Sequence, residues 1–254
     1  MFYRNNNRNI LTNSEIVEWD IKAANISLIK EYSLLSDKQI SKIDVLESKN
    51  DRNKAVGNIM RKNLKFGKDL ENKFNEVINE FISINNLDKE YDVISIKRDA
   101  IFVANRNINF DTIGKNIKFI PKNIYRSYLY IKPYEFYYRL NQKGIIDVKG
   151  LSDNLIPLHE NGIITFLLDT MRLLENSVQN KDRLNKYLKR FVELYKTYNL
   201  DIEYYREFNN ESRYKFIING EILMSDELIH SMGEYLNNEY NYINIILPVI
   251  QRVI

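Results

Sequence analysis

Two aspartates, Asp20 and Asp99, stand in settings suited to holding divalent cations. Asp20 lies near the end of the apolar run Ile16-Val17-Glu18-Trp19-Asp20-Ile21. Asp99 belongs to the polar stretch Lys97-Arg98-Asp99, between Val93-Ile94-Ser95-Ile96 and Ala100-Ile101-Phe102-Val103. Short runs rich in β-branched and aromatic residues read as strands, so each carboxylate is expected at the end or turn of a strand. The strand gives rigidity and the turn gives exposure. Two carboxylates on neighbouring strands are what two-metal phosphoryl transfer requires, with a pair of Mg²⁺ ions about 4 Å apart clamping the attacking and leaving oxygens. Mg²⁺ takes hard oxygen ligands, usually one or two carboxylates with substrate phosphates and water. The expected assignment is Asp20 and Asp99 as catalytic residues and metal ligands, with Mg²⁺ as cofactor. Each also has a plainer reading. Asp20 can cap the helix that follows it, and Asp99 can be a turn residue or an ion-pair partner of Arg98 or Lys97.

The elements that must position these residues can be read from apolar spacing. After the strand ending at Ile21, residues Ala23 to Leu35 carry Ala24, Ile26, Leu28, Ile29 and Leu34 at helical intervals. Ser36-Asp37 reads as the N-cap of a helix to about Leu46. Arg52 to Ile84 is an amphipathic helical stretch that Gly57 and Gly67 are expected to break into two pieces. The two runs around Asp99 form a hairpin or one long bent strand. Further strands are expected at Ile117–Ile120, Tyr125–Ile131, Tyr134–Leu140 and Ile145–Val148, a β-rich centre over about 91–149. Turn residues from Gly150 to Asn161 mark a boundary. Beyond it, Asn161–Glu175 and Asp182–Tyr198 have helical spacing, and Asn219-Gly220 between Tyr214–Ile218 and Glu221–Met224 is a hairpin signal. Asp226 is expected to cap a last helix to about Asn237.

The segments Glu18 to Ile29 and Ser95 to Val103 resemble the palm of right-hand nucleic-acid polymerases, most nearly the DNA polymerase A type. In that family one motif is a strand with an Asp followed by a polar stretch and a helix, as from Asp20 to Leu34-Leu35-Ser36-Asp37. A second is an Asp in a hairpin preceded by a long helix, as in Phe66 to Ile84 followed by Ile94 to Val103. A helix with Arg and Lys facing the incoming nucleotide lies between them, and Arg52, Lys54 and Asn58 stand in that order here. Arg98-Asp99-Ala100 replaces the family's His-Asp-Glu, and the Tyr-Gly that ends its nucleotide helix is absent. The resemblance covers about residues 15–105. It implies a minimal or degenerate palm of viral or mobile-element type, with Arg52, Lys54 and Arg98 as nucleotide- or phosphate-binding residues. The fold class expected is therefore α+β, with a palm-like β-sheet and packed helices over residues 1–150 and a mostly helical region over 151–254.

Two further features bear on nucleic acid. Tyr125 to Arg139 interleaves aromatic and basic residues, and Tyr128, Tyr130 and Lys132 would share one strand face on which bases could stack. The same face also reads as a half-buried sheet with tyrosine hydroxyls at its edge. Lys186, Lys189 and Arg190 on the helix 182–198 could meet phosphates, or form a solvated outer face.

The remaining composition mostly excludes. The 254 residues carry a net charge of +3, which permits an acidic partner without demanding one. With 44% hydrophobic and 28% charged residues the chain is expected to fold. Absence of cysteine removes disulfides, thiolate zinc sites and cysteine nucleophiles, and fits a reducing cytoplasm. His159 and His230 cannot furnish a histidine-rich ligand set. Neither Gly67-Lys68-Asp69 nor Gly114-Lys115-Asn116 is a phosphate-binding loop, and no apolar run is long enough to span a bilayer. Two functions follow as expectations. One is a polymerase-palm-like protein that binds nucleic acid or nucleotide, with Mg²⁺-dependent nucleotidyl transfer. The other is a non-enzymatic viral effector that binds a host protein or nucleic acid, with no membrane partner.

Overall fold

The computed structural model describes residues 2–131, 134–139, 145–150, 162, 164–175, 177–197, 199–200, 215–218 and 221–224. In chain order the elements are β1 (Phe2–Arg4), β2 (Ile10–Leu11), β3 (Ile16–Ile21), α1 (Ala24–Glu31), α2 (Asp37–Asp44), α3 (Lys49–Lys62), α4 (Leu64–Ile84), β4 (Val93–Lys97), β5 (Ala100–Ala104), β6 (Thr112–Ile113) and β7 (Ile117–Ile131). They continue with β8 (Tyr134–Arg139), β9 (Ile146–Lys149), α5 (Thr165–Glu175), α6 (Ser177–Lys196), β10 (Lys215–Ile218) and β11 (Glu221–Met224). The chain divides into two compact units, one of Met1–Arg8 with Ser14–Tyr125, the other of Asn9–Asn13 with Arg126–Ile254.

In the first unit the strands run in the order β1-β4-β5-β3-β7, every neighbouring pair antiparallel. Alternation along β3 sends Trp19 and Ile21 towards the helices, where Ile21 joins the apolar core and Trp19 packs against it. Glu18 and Asp20 therefore take the opposite face. From α4, Val77, Ile78, Phe81 and Ile82 supply the facing helical stripe, all buried. Phe81 lies over Phe119 with ring centroids 4.0 Å apart and beside Trp19 at 6.2 Å.

Helix boundaries follow side-chain caps. Ser36 precedes α2, and its backbone N–H donates to Gln39 Oε1 at 3.2 Å. Ser48 Oγ accepts from the Asp51 N–H at 3.0 Å to start α3. The division between α3 and α4 falls at Asn63, whose Oδ1 accepts from the Phe66 N–H at 3.1 Å. Neither Gly57 nor Gly67 breaks a helix, because a side chain that satisfies the free N–H groups of a new helix decides the boundary more firmly than glycine's weak propensity. The two runs around Asp99 form the β4–β5 hairpin, and no long bent strand results.

In the second unit β2 pairs with the later part of β7, and β8 pairs antiparallel with β9. Between α5 and α6 the rings of Phe166 and Phe191 lie 4.0 Å apart. β10 and β11 form a separate hairpin.

These observations correct the expected fold class. The palm-like sheet gives way to an antiparallel array in which β3 is flanked on both edges, by β5 and by the 15-residue β7. The expected gap between the strands 117–120 and 125–131 does not exist, because Pro121 pairs with Trp19 beside a β-bulge at Lys122 and the strand runs on. The mostly helical region expected for 151–254 is corrected as well. Its described residues form two helices and a hairpin, and the helix expected from Asp226 lies outside the described residues. None of the described helices is long and apolar enough to cross a membrane.

Candidate functional site

At one end of the first unit's sheet, β3 leaves for α1 and β4 turns into β5. Asp20 stands directly opposite Ala100 in the ladder, which puts Asp99 one step away, and the Ile21 N–H donates to the Asp99 carbonyl at 3.1 Å. The two predicted aspartates thus lie at the same end of the sheet, close enough for the Asp99 charge to act on Asp20. Asp20 is not a helix cap. The N-cap of α1 is Ala23, whose side chain offers no hydrogen bond. Among the described residues the Asp99 carboxylate makes no ion pair with Arg98 or Lys97.

The backbone here is under strain. Arg98 occupies the two-residue hairpin turn at φ 55°, and Ala23 sits at φ 50°. Left-handed backbone costs a residue with a Cβ about 1–2 kcal/mol. Both residues border a cavity of about 560 Å³. Its apolar wall includes Ile43, Val56, Met60, Leu70 and Phe74, and its cationic groups are Lys49, Arg52 and Arg98, with Asp99 beside them. The uncapped first turn of α1 borders the same space, and the positive end of the helix dipole lies there. From α3, Lys49, Arg52, Asn53, Val56, Gly57 and Met60 line the cavity, which is one helical face.

Lys54 is not brought to this face. It is exposed and paired with Asp51 at 4.0 Å, because two residues beyond Arg52 the helix has turned about 200°. Arg52 is partly committed, donating from Nη1 to the Leu46 and Glu47 carbonyls at 2.7 and 3.2 Å. The side chains of Lys49, Arg98 and Asp99 make no hydrogen bond or ion pair among the described residues.

Lys122 and Glu18 complete the carboxylate edge, and neither was expected. Lys122 Nζ stands 3.6 Å from Asp20 Oδ2 and 3.6 Å from Glu18 Oε1. Burial pushes the Asp20 carboxyl up from its ordinary pKa, and the neighbouring charge of Asp99 adds to the rise, while Lys122 and Lys49 oppose it. Burial works to lower the Lys122 ammonium, but the carboxylates of Glu18 and Asp20 outweigh it and hold the pKa raised. Lys49 has a sequence signal, its i, i+3 spacing from Arg52. The signal for Lys122 is Pro121, since proline inside a strand marks an edge or a bulge.

Among the described residues no group of three or more His, Asp or Glu side chains could by itself hold a metal ion. A cation at Asp20 and Asp99 would take its remaining ligands from water and a bound anion, as Mg²⁺ commonly does. The Asp99 charge that helps to raise the Asp20 pKa makes this end of the sheet a chemical fit for added positive charge.

The residues expected to touch nucleic acid are scattered in the second unit. Tyr128 is buried, its ring 4.9 Å from that of Tyr137. Tyr130 is half-buried, and its N–H donates to the Asn9 carbonyl at 2.7 Å. Lys132 lies outside the described residues. Lys186, Lys189 and Arg190 are exposed on α6, whose buried positions are Leu184, Leu188 and Phe191.

A family model described as the Bacteriophage PBS1 gene 130 protein matches residues 1–254, the whole chain, which belongs to that bacteriophage family. No curated protein matches the chain.

Proposed function

We propose that this member of a phage protein family binds a nucleoside triphosphate in the cavity beside the Arg98-Asp99 turn and transfers its nucleotidyl group. The observation that carries the reading is the convergence on one cavity of Lys49, Arg98, Asp99 and an uncapped helix start, with Asp20 close enough to feel the charges of Asp99 and Lys49. Lys49, Arg98 and the α1 N–H groups suit phosphate oxygens, and the apolar wall suits a base. Asp20 and Asp99 would hold Mg²⁺, which when bound supplies positive charge to the phosphoryl oxygens. The attacking hydroxyl gives its proton to water, its oxygen bonds to the α-phosphorus as the bond to the bridging oxygen breaks, and pyrophosphate leaves. Arg98 and Lys49 hold the departing phosphates. The exposed Lys186, Lys189 and Arg190 support a separate contact to a nucleic-acid backbone, which would weaken with salt.

The test is equilibrium titration with a fluorescent nucleoside triphosphate in Mg²⁺ or Mn²⁺, followed by incorporation on a primed template. Arg98→Ala is expected to weaken nucleotide binding about tenfold, the loss of one charged contact. Asp99→Asn is expected to abolish incorporation while nucleotide still binds. A folded wild type that binds no nucleotide with either cation sinks the proposal and favours a non-enzymatic phage effector.

A further inference from the structure

Lys122 owes its position to an irregularity in β7. Glu18 pairs with Asn123 and Trp19 with Pro121, so Lys122 is the extra residue of a β-bulge. Bulges re-aim side chains and are common beside functional sites. Here the bulge delivers the Lys122 ammonium between two carboxylates on β3, at 3.6 Å from each. Glu18 is fixed from its other side. Its Oε2 accepts from Asn123 Nδ2 and from the Tyr125 hydroxyl, both at 2.7 Å, and its side chain is 3% exposed. A buried carboxylate requires paired charge, so Glu18 anchors Lys122. Asp20, by contrast, is 16% exposed and stands next to Asp99. The flexible stem of Lys122, 52% exposed, leaves room for the ammonium to move off Asp20 while it keeps Glu18.

We propose that Lys122 is a positioning residue and resident counter-cation of the site. Tethered by Glu18, it orients Asp20 in the cation-free protein and competes with an incoming divalent cation for Asp20 Oδ2, which sets how tightly that cation is taken. This rests on the reading of Asp20 and Asp99 as cation ligands.

The test measures Mn²⁺ binding to the full chain by the electron paramagnetic resonance signal of free Mn²⁺, with thermal stability followed alongside. Lys122→Met is expected to bind Mn²⁺ about tenfold more tightly at low ionic strength, because a competing charge has gone. The same variant is expected to melt lower without metal, since Glu18 loses the ammonium 3.6 Å from its Oε1. Lys122→Arg keeps the charge and is expected to stay within about twofold of wild type in affinity. The double variant Lys122→Met/Glu18→Gln removes the buried charge as well. It is expected to regain stability while retaining the tighter binding, so the test survives if the single variant fails to fold. A merely structural lysine would leave affinity unchanged or weaken it, and either result in a folded variant overturns the proposal while leaving the cation site standing. Failure of wild type and variants alike to bind Mn²⁺ overturns the cation reading and this proposal with it.

Discussion

Asp20 is held where an ionised carboxylate is costly. Burial and the charge of Asp99 make the folded protein bind the Asp20 proton more tightly than the unfolded chain does. Its ionisation therefore subtracts stability as pH rises from the ordinary carboxylate range through the raised pKa, and the loss is complete above it. Asp20→Asn removes that loss. The variant is expected to melt higher than wild type at pH 7. The difference should vanish towards pH 3. Calorimetry at both pH values checks this, and a variant no more stable than wild type at pH 7 removes the strain argument. Asp20 and Asp99 were legible in the sequence, since an acidic residue at the end of an apolar run is conspicuous. Lys122 and Glu18 were not. Glu18 looks like an ordinary surface residue of an alternating strand, and Lys122 matters only through a bulge that depends on pairing with a distant strand.

The β4–β5 turn joins fold and function at the scale of the element. A two-residue hairpin favours glycine or asparagine where φ is positive, yet Arg98 holds that place. Strain of this kind persists where it serves a site and costs stability. Arg98→Gly is expected to raise stability by about 0.5–1 kcal/mol, part of the relief being offset by the greater freedom of glycine in the unfolded chain. The same change should weaken nucleotide binding as much as Arg98→Ala does. Urea denaturation and nucleotide titration on one preparation test both halves; a destabilised variant would contradict the account of the turn. Local elements were the most legible part of the fold. The β3 run, the Ser36 cap and the Asn219-Gly220 hairpin all rest on signals carried by a few adjacent residues. On α3 the sequence order of Arg52, Lys54 and Asn58 misled, because order along a helix does not tell which residues share a face.

For the whole molecule, the first unit's helices and sheet meet at Phe81, which is fully buried between Trp19 and Phe119. Phe81→Ala is expected to cost about 3–5 kcal/mol, seen as a lower urea midpoint with loss of the near-ultraviolet signal of Trp19. A change below about 1 kcal/mol would mean that the core is not centred there. The palm-like expectation failed at this scale because it was drawn from about 90 residues of motif order and said nothing of what pairs with the second edge of β3. That edge belongs to β7, and one of its residues has a consequence for the strand as a whole. Ile117 and Phe119 lean on the helices, whereas Asn123 and Tyr125, odd-numbered like them, turn to Glu18 on the other side. The inserted Lys122 inverts the phase of the strand midway. The odd positions keep their burial but change faces, Tyr125 being buried beside Glu18, and deleting that one residue would send the whole Glu18 clasp to the wrong side.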